Sequence, residues 1–377
     1  MSFDIVVIGA GIAGAAAARA AAAEGLSVLV VDAGLPGAAS SAGAGIVSPV
    51  PVSPAPAQWE PALFAGVAHY RTLPDLLEVA DPAEIGLGRV GTTVVAPPEQ
   101  RALLEELLRR ARQAGARHGF DDLGEPDWAG EQEMRHHWPV LATGLIGLTL
   151  PGVSRVDARQ LCSALLDAAR RSGARVERGR AEPDVRGGRA RGVRIGSRIV
   201  PAGAVIDATG CWSARLPVQT LKGQLVHLRT RDAHLDRSPI LQTLGGGYLL
   251  GFPEGRVVAG ATREPGSGRD PTPTAEGMRA VLEDCLRLAP GLAHAEVWEH
   301  RAGLRPVSSD GIPLVGRDPG IDGLVHVGGL GSWGLATGPY LGMLGALTAL
   351  GQTLPPQAAI LDPARFAAGD DSTRSDS

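Results

Sequence analysis

Lysine is almost missing from this chain of 377 residues: of its 36 lysines and arginines, only Lys222 is a lysine. It is followed by Gly223 rather than by serine or threonine, which excludes a phosphate-binding P-loop. The three cysteines, Cys162, Cys211 and Cys285, are far apart and form no C-x-x-C. Neither a disulfide framework nor a structural zinc site is therefore expected. His136 and His137 are adjacent, so they point to different faces and make no metal pair. No stretch reaches about 18 uninterrupted apolar residues, so no transmembrane helix is expected. A formal net charge of −4 gives no reason to look for nucleic acid or an anionic membrane as partner. The N-terminus lacks the basic flank of a signal peptide and carries Asp4 ahead of its apolar run, so the expected location is the reducing cytoplasm. There is no internal repeat.

What is present begins at Phe3. Ile5 to Ile8 is a short β-branched run that reads as a buried strand. Gly9, Gly11 and Gly14 follow in the pattern G-x-G-x-x-G, then an alanine-dense helix to Gly25, then a second strand, Val28 to Val31, closing on Asp32. The first glycine permits the tight turn, the second lets backbone approach a pyrophosphate, and the third lets helix and strand pack closely. The helix N-terminus offers free N–H groups and a partial positive charge. Asp32 stands where an adenosine ribose would be bound. The motif specifies a dinucleotide and leaves NAD and FAD both open.

The chain exceeds the single-core limit of about 250–300 residues, so two domains are expected. After Asp32 comes a Gly/Ser/Ala segment with Ser40 and Ser41, small enough to admit a ligand close to backbone. The spacing predicts a helix over 61–79, a strand over 91–96, and an amphipathic helix over 99–116 in which Glu105 and Arg109 pair. A strand over 145–150 and a helix from Ala158 to Ser172 capped by Asp157 come next, then a small meander and the buried strand VIDATG. Long antiparallel strands follow from Thr220, with a helix between Pro271 and Pro290 and another from Gly338 to Leu350. The expected organisation is interleaved. Residues 1–80, 141–218 and 303–368 form the nucleotide domain, 81–140 and 219–302 form a β-rich substrate domain, and 369–377 is a disordered tail.

The segments GAGIAG with Asp32, SSAGAGIVSP, VIDATGCWS, LKGQLV, GATRE, AGLRPVSSDGIPLVG and GGLGSWGLATG occur in that order. Together they resemble the FAD-dependent D-amino acid oxidase superfamily, most closely glycine oxidase and related bacterial amine dehydrogenases. The resemblance implies an α/β fold, with a Rossmann-like FAD domain of the glutathione-reductase type and an inserted antiparallel sheet. It selects FAD over NAD. It implies that Ile12 and Ala13 open the helix facing the pyrophosphate, that Asp32 and Ala33 meet the ribose, and that Ser40, Ser41, Ala44, Gly45 and Ile46 line the path to the flavin. Glu182 falls near adenine, and Thr209, Gly210 and Trp212 form a cofactor-touching turn. Leu330, Gly331, Ser332, Trp333, Gly334, Leu335 and Ala336 lie at the pyrimidine end of the flavin, where N–H groups stabilise negative charge. None of the cysteines lies in a flavin-linking motif, so the FAD is expected to be non-covalent.

For the substrate, the resemblance makes Arg305 the partner of an amino acid carboxylate and places Tyr248 over the substrate. A guanidinium suits that task because it forks two parallel bonds to a carboxylate and keeps its charge. Relatives often carry histidine or arginine where this chain has Leu330 to Trp333, so no second cation is expected from that loop. The role of Lys222 and Gln224 in the K-G-Q strand is left open. The expected activity is oxidation of a small amine or amino acid of the glycine, sarcosine or D-amino acid type. Hydride passes from Cα to flavin N5, and the imine hydrolyses to an oxo acid. Oxygen or a quinone is the acceptor, and a homo-oligomer is possible. The alternatives are a 2-hydroxy acid dehydrogenase of the same fold, the flavoprotein subunit of a hetero-oligomeric amino acid dehydrogenase, and a plain NAD-dependent dehydrogenase.

Overall fold

The computed structural model describes residues 2–369 except 51, 53, 54, 119–123 and 232, so the expected tail lies almost wholly outside the described residues. The first strand, β1 (Phe3–Ile8), is buried over its last four residues and runs between two parallel neighbours. One is β2 (Val28–Asp32), reached through helix α1 (Ile12–Ala23); the other is the late strand Arg198–Asp207. Arg175–Arg178 extends the sheet beyond β2, and Leu324–Gly328 extends it beyond Arg198–Asp207. These five parallel strands are covered on their faces, which is why their inner members read as continuous apolar runs. Ala181–Arg186 and Arg189–Ile195 add an antiparallel ribbon on the first half of Arg198–Asp207.

Alanine suits α1 for two reasons: it is the strongest helix former, and it leaves room for neighbours on several sides. The last helix, Gly334–Ala349, crosses it at glycines. A Cβ at Gly338 would lie 2.7 Å from Ile12 Cγ2, and one at Gly342 would lie 2.3 Å from the Ala13 carbonyl oxygen. Two helices that both begin at the same end of the sheet are thereby held backbone to backbone.

The second sheet has nine strands and is largely antiparallel. Glu296–Ser308 forms one edge and pairs along its length with Val218–Arg229. Then come Arg256–Gly260, Tyr248–Phe252, Ile240–Thr243, Thr92–Ala96, Ile146–Leu150 and Asp127–Ala129. Short Glu264–Pro265 pairs with Leu221 and Lys222. Helix Arg101–His118 packs Leu104 and Leu107 against Leu148, Leu250 and Phe252 on one face. Helix Ala275–Leu288 packs Val281 and Cys285 against Val226, Leu228 and Val257 on the other. Each such fully buried leucine or phenylalanine contributes about 1.5–3 kcal/mol, so the two helices hold the sheet from both sides.

Several local expectations are corrected. Residues 61–79 form two helices, Glu60–His69 and Leu73–Leu77, because Tyr70 at their junction turns inward to be buried. Arg109 pairs with Glu106, and Glu105 pairs with Arg101 instead. The last helix starts at Gly334, before the expected Gly338. Ile146–Leu150 pairs with Thr92–Ala96, and Glu296–Ser308 runs unbroken through position 303. Thr92–Ala96, Ile146–Leu150 and Glu296–Ser308 thus belong to one sheet. Asp157 caps its helix as expected, accepting hydrogen bonds from the Arg159 and Gln160 N–H groups at 3.0 and 3.1 Å. No helix of the described residues is long and apolar enough to cross a membrane.

Candidate active site

The carboxyl ends of β1, β2 and Arg198–Asp207 lie side by side and open onto a cleft of about 830 Å³ that reaches across to the second sheet. At the turn after β1, Gly9 has φ +101°, and a Cβ there would stand 2.5 Å from the Ala208 carbonyl oxygen. A Cβ at Gly14 would stand 1.9 Å from the Gly9 oxygen, so only glycine allows the helix to start this close to the strand. Ile12 N–H donates to Ser40 Oγ at 2.9 Å. The Asp32 carboxylate is fixed by the N–H groups of Ala10 and Gly34, each at 2.6 Å. Gly9, Gly11, Ile12, Ala13, Asp32, Ala33, Ser40, Ala44, Gly45, Ile46 and Glu182 all line the cleft. Gly14 and Ser41 do not: Gly14 packs against the turn, and the Ser41 hydroxyl donates to the Ala38 carbonyl at 2.7 Å.

Thr209, Gly210 and Trp212 line the neighbouring wall. Their turn is fastened by Asp207, whose Oδ1 accepts from Thr209 N–H at 3.1 Å and from its hydroxyl at 2.6 Å, while Oδ2 accepts from Ser213 at 2.9 Å. Beneath it, His326 Nδ1 is 3.4 Å from Asp207, and its Nε2 is 2.9 Å from Asp318, which Arg215 also grips at 2.8 Å. Burial works to raise the Asp207 carboxyl, but hydrogen bonds from His326 and Thr209 outweigh it and hold the group below the usual range. Asp318 is drawn down to about 2: burial opposes this, and the bonds from Arg215 and His326 prevail. Burial likewise opposes protonation of His326, yet the two carboxylates raise its pKa.

At the far end, Leu330 to Ala336 line the cleft and lead into the last helix. The Tyr70 hydroxyl donates to the Leu335 carbonyl and anchors this loop. The α1 N-terminus and this second helix N-terminus thus both open on one cleft. Neither helix has an acidic residue in its first turn or a capping side chain at its N-cap.

Arg305 and Tyr248 are brought together on the floor formed by the second sheet. The Arg305 guanidinium lies over Gly223, where a Cβ would stand 2.0 Å from Nη1. The Tyr248 ring lies over Gly260, where a Cβ would stand 2.4 Å from the hydroxyl oxygen. Burial, against the pull of Arg305 and Arg263, raises the Tyr248 pKa and keeps the hydroxyl protonated. Arg305 Nη1 has a long contact of 3.4 Å to the Thr262 carbonyl, and among the described residues no carboxylate lies within ion-pair distance. Glu264 is engaged elsewhere: Gln224 Nε2 donates to it at 2.7 Å, Thr262 donates through its hydroxyl, and Lys222 Nζ is 3.6 Å away. Gln224 Oε1 also accepts the Thr274 N–H at 2.8 Å, at the N-cap of Ala275–Leu288. The three residues of the K-G-Q strand therefore have separate tasks. Lys222 and Gln224 occupy Glu264, and Gly223 makes room for Arg305.

Residues 4–347 match the family model DAO, described as FAD dependent oxidoreductase. The chain belongs to this family. An uncharacterised oxidoreductase of Bacillus subtilis (strain 168) is 33% identical over 95% of this chain and 98% of its own length. Glycine oxidase of Pseudomonas putida is 30% identical over 86% and 88%. The crystal structure of iminodiacetate oxidase from Chelativorans sp. BNC1 superposes with a TM-score of 0.90 at 35% identity, covering 95% of this chain and 98% of that one. The DAO chain is thus an FAD-dependent oxidoreductase with an α/β fold, and its cleft fits the cofactor. The glycine turn leaves no space for side chains, and two uncapped helix N-termini open on the cleft, where they would meet an anionic dinucleotide.

Two outcomes are expected. Cys211 lines the cleft, but burial pushes its thiol up to about 11, and it remains a protonated, poor nucleophile. Acid or heat should therefore release intact FAD from the yellow protein, and flavin that stayed with the denatured chain would contradict this. The stability that His326 contributes is fully present below its ordinary pKa of 6.5 and is lost as pH rises through the raised folded value. As pH rises above about 6.5, the wild-type Tm should fall more steeply than that of His326→Asn. Parallel curves would remove the histidine from this role.

Proposed function

We propose that this chain oxidises the Cα–N bond of a small amine or amino acid whose carboxylate is held by Arg305. The observation that carries the reading is a guanidinium set over Gly223, beside Tyr248, with no carboxylate of its own among the described residues. An α-carboxylate supplies what the site lacks, since it can accept two parallel N–H bonds from the fork. The protonated Tyr248 hydroxyl adds a donor beside it. Glycine oxidase and iminodiacetate oxidase, by their names, act on amines bearing such a carboxylate, which supports the same reading.

FAD, when bound, supplies the acceptor for a hydride leaving Cα. The residues present hold the reactant and exclude competing chemistry. Among the described residues the carboxylates lining the cleft are Asp32, Glu182 and Asp207, all toward the glycine-turn end and away from Arg305. No side-chain base stands at Arg305, and none is needed when the amine arrives neutral. Orientation then provides the larger part of the rate: anchoring the carboxylate fixes Cα, a geometry worth up to about 7–11 kcal/mol in well-aligned systems. Loss of the N–H proton leaves an imine, which water hydrolyses to an oxo acid and ammonia or an amine.

Glycine, sarcosine or D-amino acids should bleach the flavin anaerobically, and the matching 2-hydroxy acids should leave it oxidised. The reverse pattern would assign a hydroxy acid dehydrogenase. Arg305→Ala should lower kcat/KM on the amino acid by roughly 30-fold to a few thousand-fold, about 2–5 kcal/mol. Arg305→Lys should recover only part, and the decarboxylated amine should be nearly indifferent. Equal losses on both substrates, or loss of FAD, would make Arg305 structural.

A further inference from the structure

We propose that the preferred substrate carries two carboxylates, with Arg305 binding the one beside the oxidised carbon and Arg263 binding the second. This assignment rests on the amine-oxidase reading above. The cleft holds more positive charge than one carboxylate requires. Arg180 and Arg215 on its walls are matched by Glu182 at 3.6 Å and Asp318 at 2.8 Å. Arg263 and Arg269, like Arg305, line the cleft without a carboxylate within ion-pair distance among the described residues, and of the two it is Arg263 whose charge acts on Tyr248 and Arg305. Its direction follows from its neighbours. Thr262 Oγ1 accepts the Gln224 N–H at 2.8 Å, and Glu264 accepts from Gln224 Nε2 at 2.7 Å, so both flanking side chains turn to the Gln224 side. Arg263, between them and just ahead of the short strand Glu264–Pro265, lines the cleft. There its charge reaches both reference groups of the site, since it works to lower the pKa of Tyr248 and of Arg305.

Two guanidinium groups on one small cleft repel unless an anion lies between them. The neighbouring acid, Glu264, cannot serve, being occupied by Lys222, Gln224 and Thr262. Arg263 is exposed at the rim while Arg305 is sunk in the floor, so the second carboxylate enters last and lies nearer to solvent. Iminodiacetate, with its second carboxylate borne through nitrogen, and aspartate, with it on carbon, are two small amines of this class. With iminodiacetate, one CH2 loses a hydride and the nitrogen a proton. Water adds across the C=N bond, and the products are glyoxylate and glycine. The two electrons pass by way of FAD to oxygen or a quinone.

The test uses FAD-loaded protein and two redox-inert ethers, diglycolate and methoxyacetate, which differ by the second carboxylate. Binding is followed by perturbation of the flavin spectrum and by thermal shift. Wild type should prefer diglycolate. Arg263→Ala should raise the Kd for diglycolate by roughly 10- to 150-fold, the worth of a charged hydrogen bond, and should change methoxyacetate far less. Arg263→Lys should restore part of the preference. In turnover, kcat/KM for iminodiacetate relative to sarcosine, or for aspartate relative to alanine, should fall in parallel, and whichever pair responds shows where the second carboxylate is borne. Equal affinity of wild type for the two ethers would overturn the proposal, as would equal losses on both. So would a preference abolished by Arg269→Ala and kept in Arg263→Ala, because Arg269 also lines the cleft. If methoxyacetate binds in an Arg305-dependent way while diglycolate has no advantage, only the second clamp fails. If neither ether binds and no amine bleaches the flavin, the amine-oxidase reading fails first.

Discussion

A guanidinium in the floor of a cleft, without a counter-ion among the described residues, is the constraint around which the second half of this molecule is arranged. Removing a charge from water costs several kcal/mol when no partner meets it, so folding would ordinarily draw in the neighbouring acid. Here Glu264 is within reach of the region, and Lys222, Gln224 and the Thr262 hydroxyl all compete for it. Gly223 then supplies bare backbone on which the guanidinium rests. The arrangement leaves Arg305 poised for an anion that the protein does not itself provide. The same logic extends to Arg263, whose flanking residues are turned away into the Gln224 cluster.

The first half meets a complementary constraint. α1 and Gly334–Ala349 must both begin at one cleft, which requires them to cross at close range. Gly338 and Gly342 permit that approach, and Gly66 lets helix Glu60–His69 lie against Thr337 in the same way, where a Cβ would stand 2.7 Å from its methyl. Two helix N-termini then direct partial positive charge at the cofactor cleft. The chain Asp207–His326–Asp318–Arg215, buried as far as Asp318 and capped by the exposed Arg215, braces the intervening turn at Thr209.

Much of this was legible in the sequence. The G-x-G-x-x-G turn and Asp32 identify themselves because every residue type at that turn answers to a steric or electrostatic need. Arg305 stood out by its place in AGLRP. Arg263, within GATRE, carries no local signal: among so many arginines nothing in the sequence distinguishes one facing a cleft from one facing water. The distinction comes from the bonds that tie Thr262 and Glu264 to Gln224, a residue about 40 positions away, and leave Arg263 between them at the cleft. Gly223 carried no signal for the same reason, since its value depends on a side chain arriving from Glu296–Ser308. The pairing of Ile146–Leu150 with Thr92–Ala96 is likewise a long-range choice that local periodicity does not encode. On helix Arg101–His118, Glu105 and Glu106 offer competing ion pairs at similar spacing, and side-chain geometry selected Arg101–Glu105 and Glu106–Arg109.

Everything proposed for the reaction turns on Arg305 as the anchor of the substrate carboxylate. The most direct measurement is a crystal structure of the FAD-loaded protein with methoxyacetate, an inert carboxylate of substrate size. The carboxylate should lie in a two-bond fork on the Arg305 guanidinium above Gly223, with the Tyr248 hydroxyl beside it. A carboxylate bound elsewhere in the cleft, with Arg305 turned onto a protein acid, would contradict it.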